Sequence, residues 1–521
     1  MAIKIPKITL IIFLALILRC WQITTLPSLN PDEAALGYNA YSLIQTGKDE
    51  HGASWPLHFK SFGDFKPGGY VYMALPFIKV LGLTSLAVRL PNIIFSVLTI
   101  LVLYKLIFLF TKNSRISNLV SIVLAISPWH LQFSRGAWEA SIALFFLTLG
   151  IYWLYQYIIN NRKFFIYIFP IPLVIAMATY HSARIIAPVL LLTILIFNFK
   201  KIFNRQLIIA IIIGLVLVTP IAVSFLKNGG TTRFAGVGLT ADKGPLSRSE
   251  ELLNNHGNVK IINRIIHNHR VLYALSWVEK YSSHFNLNFL FINGDEVPRS
   301  KNPDMGQLYL IELPLLLFGL VKLIQSRNRH LQQFTFSFLL IAPLASSLTF
   351  QAPSALRALP MVIPLSILIA LGLETFIIFV QRFKSFKLII FLLFTISYLL
   401  SLAYYLDSYY VHSPKRYSFA WNFGFSQIIP YVESEKSKFK NVYLTDKYDQ
   451  PYILYLFYSH YPPAKIQSQI KLTAPDRFGF STVRQIDNLH FGIPATIPDN
   501  SLIIEASDFE KTGQSFRIYT N

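Results

Sequence analysis

Cysteine is almost absent from this chain of 521 residues. Cys20 stands alone, which excludes an intrachain disulfide and any cysteine-rich metal site. Charge is scarce as well. Only 14% of the residues are Asp, Glu, Lys or Arg, while 53% are hydrophobic, too little charge to cover a soluble protein of this length. Acidic residues are the scarcer sign, 26 against 47 Lys and Arg, leaving a formal charge of +21. That excess does not read as a nucleic-acid footprint. The basic residues stand mostly in twos and threes at the ends of apolar segments, with no contiguous stripe and no recognisable module. No internal repeat with a period of about 20–50 residues is present, which excludes a solenoid or propeller.

What the chain has in quantity is long apolar blocks. Runs such as 207–225 and 388–406 are each about 19 residues, enough to cross a hydrocarbon layer of about 30 Å as a helix. Continuous runs exclude the alternating pattern of a transmembrane barrel. Eleven spans are expected, near 8–26, 89–110, 117–134, 139–159, 164–180, 184–199, 206–225, 307–324, 331–350, 357–380 and 388–406. Lys4 and Lys7 precede the first apolar run, but Arg19 sits directly before Cys20 and no small-x-small cleavage pattern follows. The segment therefore reads as an uncleaved first span.

The stretch 68–83 is also apolar, but it is short, opens with Gly68-Gly69 and carries Pro76 and Lys79. If it does not cross, one side of the membrane collects Lys4 and Lys7, Lys112 and Arg115, Arg162 and Lys163, Lys200, Lys201 and Arg205, Lys322, Arg327 and Arg329, and Arg382, Lys384 and Lys387. Every short basic cluster then faces the cytoplasm, as the positive-inside rule requires. The expected architecture is mainly α: a polytopic transmembrane helical bundle of about eleven spans over 1–406. Juxtamembrane helices lie on its outer surface, and 27–88 and 226–306 form outer loops. The N-terminus is cytoplasmic. Residues 407–521 form a small extracytoplasmic α/β domain, with strands near 441–445 and 501–506 and a helix near 451–459.

This orientation gathers the chain's unusual polar residues on the outer face. The first outer loop carries Asn30-Pro31-Asp32-Glu33 and Phe62-Gly63-Asp64-Phe65-Lys66-Pro67, putting carboxylates and a lysine at a membrane surface where unpaired charge is costly. Arg135 and Glu139, His181 and Arg184, Asp295 and Arg299, and Arg357 fall on the same side. Such a set suits a lipid-linked phosphosugar. Cations stabilise the departing phosphate, and a carboxylate takes the proton of an attacking hydroxyl. Asp32 or Glu33 is the candidate base. Asp64, Lys66, Arg135, Glu139, His181, Arg184, Asp295, Arg299 and Arg357 are the expected substrate-binding residues, the arginines being suited to forked phosphate contacts. Arg135 and Glu139, four apart, are also spaced to pair on one helical face. Asp32 after Pro31 is equally placed to cap a helix. No cofactor is firm. A divalent cation on Asp32, Asp64, Glu139 and Asp295 is conceivable, without compact ligand spacing to support it.

The order of a first span, Asp32-Glu33, then Gly63-Asp64-Phe65-Lys66-Pro67 and an interfacial helix, resembles the GT-C membrane glycosyltransferases. The similarity is greatest to the protein O-mannosyltransferase and aminoarabinose-transferase group, family GT39 and its relatives. The resemblance implies that Asp32 is the catalytic aspartate and that Lys66, in an acidic-lysine-proline element with Asp64 and Pro67, contacts the lipid phosphate. It implies an inverting transfer of a sugar from a polyprenyl-phosphate donor to an extracytoplasmic acceptor, which is a protein, a lipid or an envelope glycan. Two rivals remain open. One is a ligase or polymerase moving a glycan from a lipid diphosphate, and the other is a lipid-linked sugar transporter, although the midplane site and mirrored halves common in transporters are missing.

Overall fold

The computed structural model describes residues 6–227, 238–256, 260–476 and 479–521; Lys4 and parts of the 226–306 loop lie outside the described residues. The main elements, in chain order, are α1 (Lys7–Cys20), α2 (Pro31–Thr46), β1 (His58–Ser61), β2 (Asp64–Pro67), α3 (Gly69–Leu81), α4 (Ser85–Thr111), α5 (Ser114–Ile126), α6 (Pro128–Ser134), α7 (Glu139–Asn160), α8 (Ala183–Phe197), α9 (Arg205–Lys227), α10 (Glu312–Gln325), α11 (Val362–Val380), α12 (Lys387–Asp407), β3 (Asn441–Leu444), α13 (Pro451–Tyr458), β4 (Gln485–Ile486), β5 (Leu489–Phe491), β6 (Ser501–Ala506) and β7 (Phe516–Thr520).

Long apolar runs form a helical bundle, as expected of a multi-pass membrane protein. All of the expected spans contain helix, but among the described residues only five helices are both long and apolar enough to cross a membrane on their own. The α5/α6 pair makes a sixth if its 59° bend is counted as one broken span. Proline explains two of the breaks seen here. Pro128 opens α6, and Pro170 divides the 164–180 segment into Lys163–Ile168 and Pro170–Thr179. The crossing helices differ in their neighbours. In α4, α7 and Leu359–Val380 the apolar window is 61%, 72% and 67% buried, whereas in α9 and Lys387–Arg416 it is 11% and 6%. Three helices therefore build the bundle's interior, and two present their apolar faces outward to lipid. α10 and α11 approach until their backbones nearly touch. A Cβ on Gly319 would collide with the Leu368 carbonyl, and one on Gly372 with the Leu315 carbonyl, so only glycine fits this crossing.

A second apolar core forms a cap at one end of the bundle. It joins α2, β1, α3, Ala87 and Val88 of α4, and Ala137 and Ile142 near the start of α7 to Phe425, Ile453, Leu489 and Ile504 of the tail. The tail is thus built around the same core as the first polar loop. α2 starts with a capping box: the Asn30 side chain accepts from the Glu33 N–H, and the Glu33 carboxylate accepts from the Asn30 N–H, with Pro31 at the first helical position. It ends at Gly47 in the left-handed region. β1 and β2 pair through a two-residue turn, Phe62-Gly63, with φ of 56° and 84°, the geometry of a type I′ hairpin. α3 has 13 residues and so spans only about 20 Å, less than a hydrocarbon layer. In the tail, β3 lies between β5 and β6, parallel to both, while β4 and β7 flank them antiparallel. The strands and helix expected from the tail's sequence are present; β4, β5 and β7 complete the sheet.

Candidate active site

α2 and the β1–β2 hairpin bring Asp32 and Lys66 together. Lys66 Nζ donates to Asp32 Oδ1, and the ammonium lies 4.8 Å from the centre of the Phe62 ring on the same hairpin. Arg299 approaches from the 298–300 turn, with Nη1 at 4.0 Å from Asp32 Oδ2. That nitrogen is buried and donates no hydrogen bond among the described residues. Asp32 retains 38% of its side-chain exposure and Arg299 23%, so the carboxylate and two cations line an open recess. Asp449, which follows β3, completes it. Burial pushes the Asp449 carboxyl up, the Asp32 charge pushes in the same direction, and Arg299 and Lys66 oppose both.

Glu33, the other candidate base, faces the opposite way. It is 1% exposed. Arg89 Nε and Nη2 each donate to it at 2.8 Å, Ala137 N–H at 2.7 Å, and the N–H and side-chain amide of Asn30 at 3.2 Å. Arg89 spends its remaining donors on the carbonyls of Ile23, Pro27 and Ser28. Glu33 therefore ties α2, α4 and the α6–α7 link together, and five donors occupy its oxygens.

The remaining expected site residues fall into separate places. Arg135 donates to the carbonyls of Leu18, Arg19, Trp21 and Leu26, at 2.7, 3.3, 2.6 and 3.2 Å, and packs against the rings of Tyr409 and Tyr410. It clamps the end of α1. The expected pairing with Glu139 does not form, because the chain breaks between α6 and α7 and the two residues belong to different elements. Glu139 opens α7, within electrostatic reach of Tyr70. Asp64 stands at the hairpin's turn, where Oδ1 accepts from the Phe65 N–H at 2.7 Å. Asp295 binds the N–H groups of Val297 and Ala355 at 2.9 and 2.6 Å, and burial pushes its carboxyl up. Arg357 donates to the Gln351 carbonyl at 3.1 Å. Asp32, Asp64, Glu139 and Asp295 are not gathered: among the described residues no three acidic, His or Cys side chains form a group able to hold a metal ion.

Arg184 and His181 belong to another cluster. Arg184 Nη2 donates to His58 Nε2 at 2.7 Å, and His58 Nδ1 meets Ser224 Oγ at 2.8 Å. An arginine donor on Nε2 puts the imidazole proton on Nδ1. Burial first, and the Arg184 charge second, lower the His58 pKa to about 4, so the ring is neutral. The Arg184 guanidinium and the His181 ring both pack on Phe225. Sequence reading misses His58, Arg89 and Asp449. Asp449 had a signal, in the polar turn 445–450 between a strand and a helix.

The recess of one carboxylate and two cations sits at the polar end of a bundle of apolar helices, and that bundle has the GT-C fold. The fold matches the structure of ArnT from Cupriavidus metallidurans bound to undecaprenyl phosphate with a TM-score of 0.52, at 11% identity, over 87% of this chain and 85% of that one. Residues 9–226, which hold Asp32 and Lys66, match the family model described as dolichyl-phosphate-mannose-protein mannosyltransferase. The oligosaccharyltransferase of Archaeoglobus fulgidus in its apo form is similar at 13% identity, with a TM-score of 0.49 and coverage of 87% of this chain. This chain spans only 63% of the length of that enzyme. No curated protein matches the sequence.

Proposed function

We propose that this protein is an inverting glycosyltransferase that moves a sugar from a polyprenyl-phosphate donor to an extracytoplasmic acceptor. The observation that carries the reading is the contact of Asp32 with Lys66 and Arg299 in an open recess. One carboxylate and two cations are what displacement of a lipid phosphate needs. In this reading Lys66 and Arg299 turn from Asp32 to the donor phosphate as it arrives, which leaves Asp32 for the acceptor hydroxyl. Asp32 takes the hydroxyl proton as the oxygen forms its bond to the anomeric carbon. The bond from that carbon to the phosphate oxygen breaks, and polyprenyl phosphate leaves with the electron pair, held by the two cations. Attack opposite the leaving group inverts the anomeric centre. The match of 9–226 to a family named for a lipid-phosphate-linked sugar supports this donor class.

The proposed setting is a cell membrane crossed about eleven times by 1–406, with the N-terminus cytoplasmic and 407–521 extracytoplasmic. The recess then opens on the outer face, with α3 along the membrane surface beneath it. The test is release of polyprenyl phosphate by the purified protein, offered polyprenyl-phosphate sugars with a membrane and cell-wall acceptor mixture. Wild-type turnover that falls by about 10²–10⁴-fold in Asp32→Asn, with donor binding retained, is the expected result. Turnover only with lipid-diphosphate glycans overturns the donor assignment.

A further inference from the structure

The tail contains a cleft that the recess chemistry does not use. It has a volume of about 380 Å³ and is lined by Phe419, Asp446, Asp449, Gln450, Thr482, Arg484 and their neighbours, within the size range of small-molecule sites. It lies outside the carboxyl ends of β3 and β5, where Leu444 and Phe491 stand opposite each other and the polar turn leads into α13. Open sheets with parallel strands hold their ligands at this kind of position. The lining is polar and its charges balance, Asp446 and Asp449 against Lys447 and Arg484, with Arg484 Nη1 binding Asp446 Oδ2 at 2.5 Å. Phe419 is 55% exposed and stacks on Tyr448 at 4.7 Å, presenting a flat apolar platform beside the cleft. Gln450 Oε1 and Thr482 Oγ1 in its wall are buried with no hydrogen-bond partner among the described residues, which leaves unmet hydrogen-bonding capacity there.

The cleft is joined to the recess. Gln450 Nε2 donates to the Ser481 carbonyl at 3.2 Å, and the Ser481 N–H donates to the Phe62 carbonyl at 2.8 Å. Phe62 is the residue over which Lys66 sits. Asp449 lines the cleft and feels the charge of Asp32.

We propose that this cleft is the acceptor subsite and that it takes an uncharged carbohydrate, stacked on Phe419 and hydrogen-bonded by Asp449, Gln450, Thr482 and Arg484. The proposal deepens the glycosyltransferase reading and rests on it for the word acceptor. A balanced charge disfavours a phosphorylated ligand, and a flat ring beside amide, hydroxyl, carboxylate and guanidinium groups suits the alternating apolar faces and hydroxyl edges of a sugar. The test is ligand-observed saturation-transfer NMR on the full chain in a sugar-free detergent, with a panel of methyl hexopyranosides and, separately, a short serine- and threonine-rich peptide. Wild-type protein and Asp32→Asn should bind at least one glycoside alike. Phe419→Ala and, independently, Arg484→Gln should weaken that binding at least tenfold, with melting temperatures confirming folded protein. No glycoside binding by folded wild type, binding unchanged in both variants, or peptide binding lost in them instead, each overturns the proposal. The readout needs no donor and no turnover, so failure of the transferase reading leaves the carbohydrate site standing and removes only its role as an acceptor site.

Discussion

One peptide bond separates the knot around Glu33 from the recess around Asp32, and the surroundings change completely across it. A helix turns its side chains by about 100° per residue, so one carboxylate points into the protein and the next out of it. Inside, Glu33 meets a fully buried arginine and three further donors from the backbone and side chain of Asn30 and the backbone of Ala137. Outside, Asp32 meets two cations that remain partly exposed and have capacity for another anion. The contrast separates a carboxylate used for architecture from one available for chemistry: the first has its acceptor sites filled by groups that cannot leave, and the second faces groups that can exchange partners. Glu50 adds a third case. It is fully buried, accepts from the Asn39 amide at 3.3 Å and leaves Oε2 with no partner among the described residues. With no arginine beside it among the described residues, burial pushes its pKa up to about 8, and the charge of Asp49 adds to that push.

Exchanging the two neighbours' fates is the strongest test of this contrast. Asp32→Asn should cut transfer by about 10²–10⁴-fold while the melting temperature stays near that of wild type. Glu33→Gln should do the reverse, costing about 3–5 kcal/mol of stability by leaving Arg89 charged and uncompensated. Thermal unfolding of both variants in one detergent separates these outcomes, and equal melting temperatures would dissolve the distinction. Lys66→Ala and Arg299→Ala should each raise the donor KM, by roughly 10- to 150-fold if each removes a charge-assisted hydrogen bond of about 1.5–3 kcal/mol. An unchanged donor KM in both would remove the phosphate from this recess.

The last expected effect is a pH dependence. The Glu50 pKa is raised from 4.5 to about 8 on folding, so the folded state binds the extra proton. Its contribution to stability is fully present below pH 4.5 and is lost as the pH rises through 8. Glu50→Gln should therefore gain melting temperature relative to wild type at pH 9 and gain little at pH 5. A pH-independent difference between the two proteins would show that Glu50 is charged in the fold.

Much of this arrangement was legible in the residues themselves. The helical class follows from apolar runs, and the cost of charge beside lipid singles out Asp32, Lys66 and Arg299. The roles of Glu33 and Arg135 were hidden because they depend on partners far away in sequence: Ala137 lies 104 residues from Glu33, and Leu18 lies 117 residues from Arg135. No local pattern shows that such a group is already saturated. Pro128 and Pro170 break two of the expected spans, 117–134 and 164–180, although the apolar character continues across both. Asp449 stands in the tail, far along the sequence from Asp32, and only the shared core brings the two together.

That shared core sets a timetable for the growing chain. At a synthesis rate of about 5–20 residues per second, the stretch between Leu83 and Phe425 takes on the order of tens of seconds. Throughout that interval the first loop has its half of the cap's apolar interior and nothing to close it, since Phe425, Ile453, Leu489 and Ile504 have yet to be made. The recess is therefore among the last parts of the molecule to mature, although Asp32 and Lys66 within it are among the first residues to be synthesised.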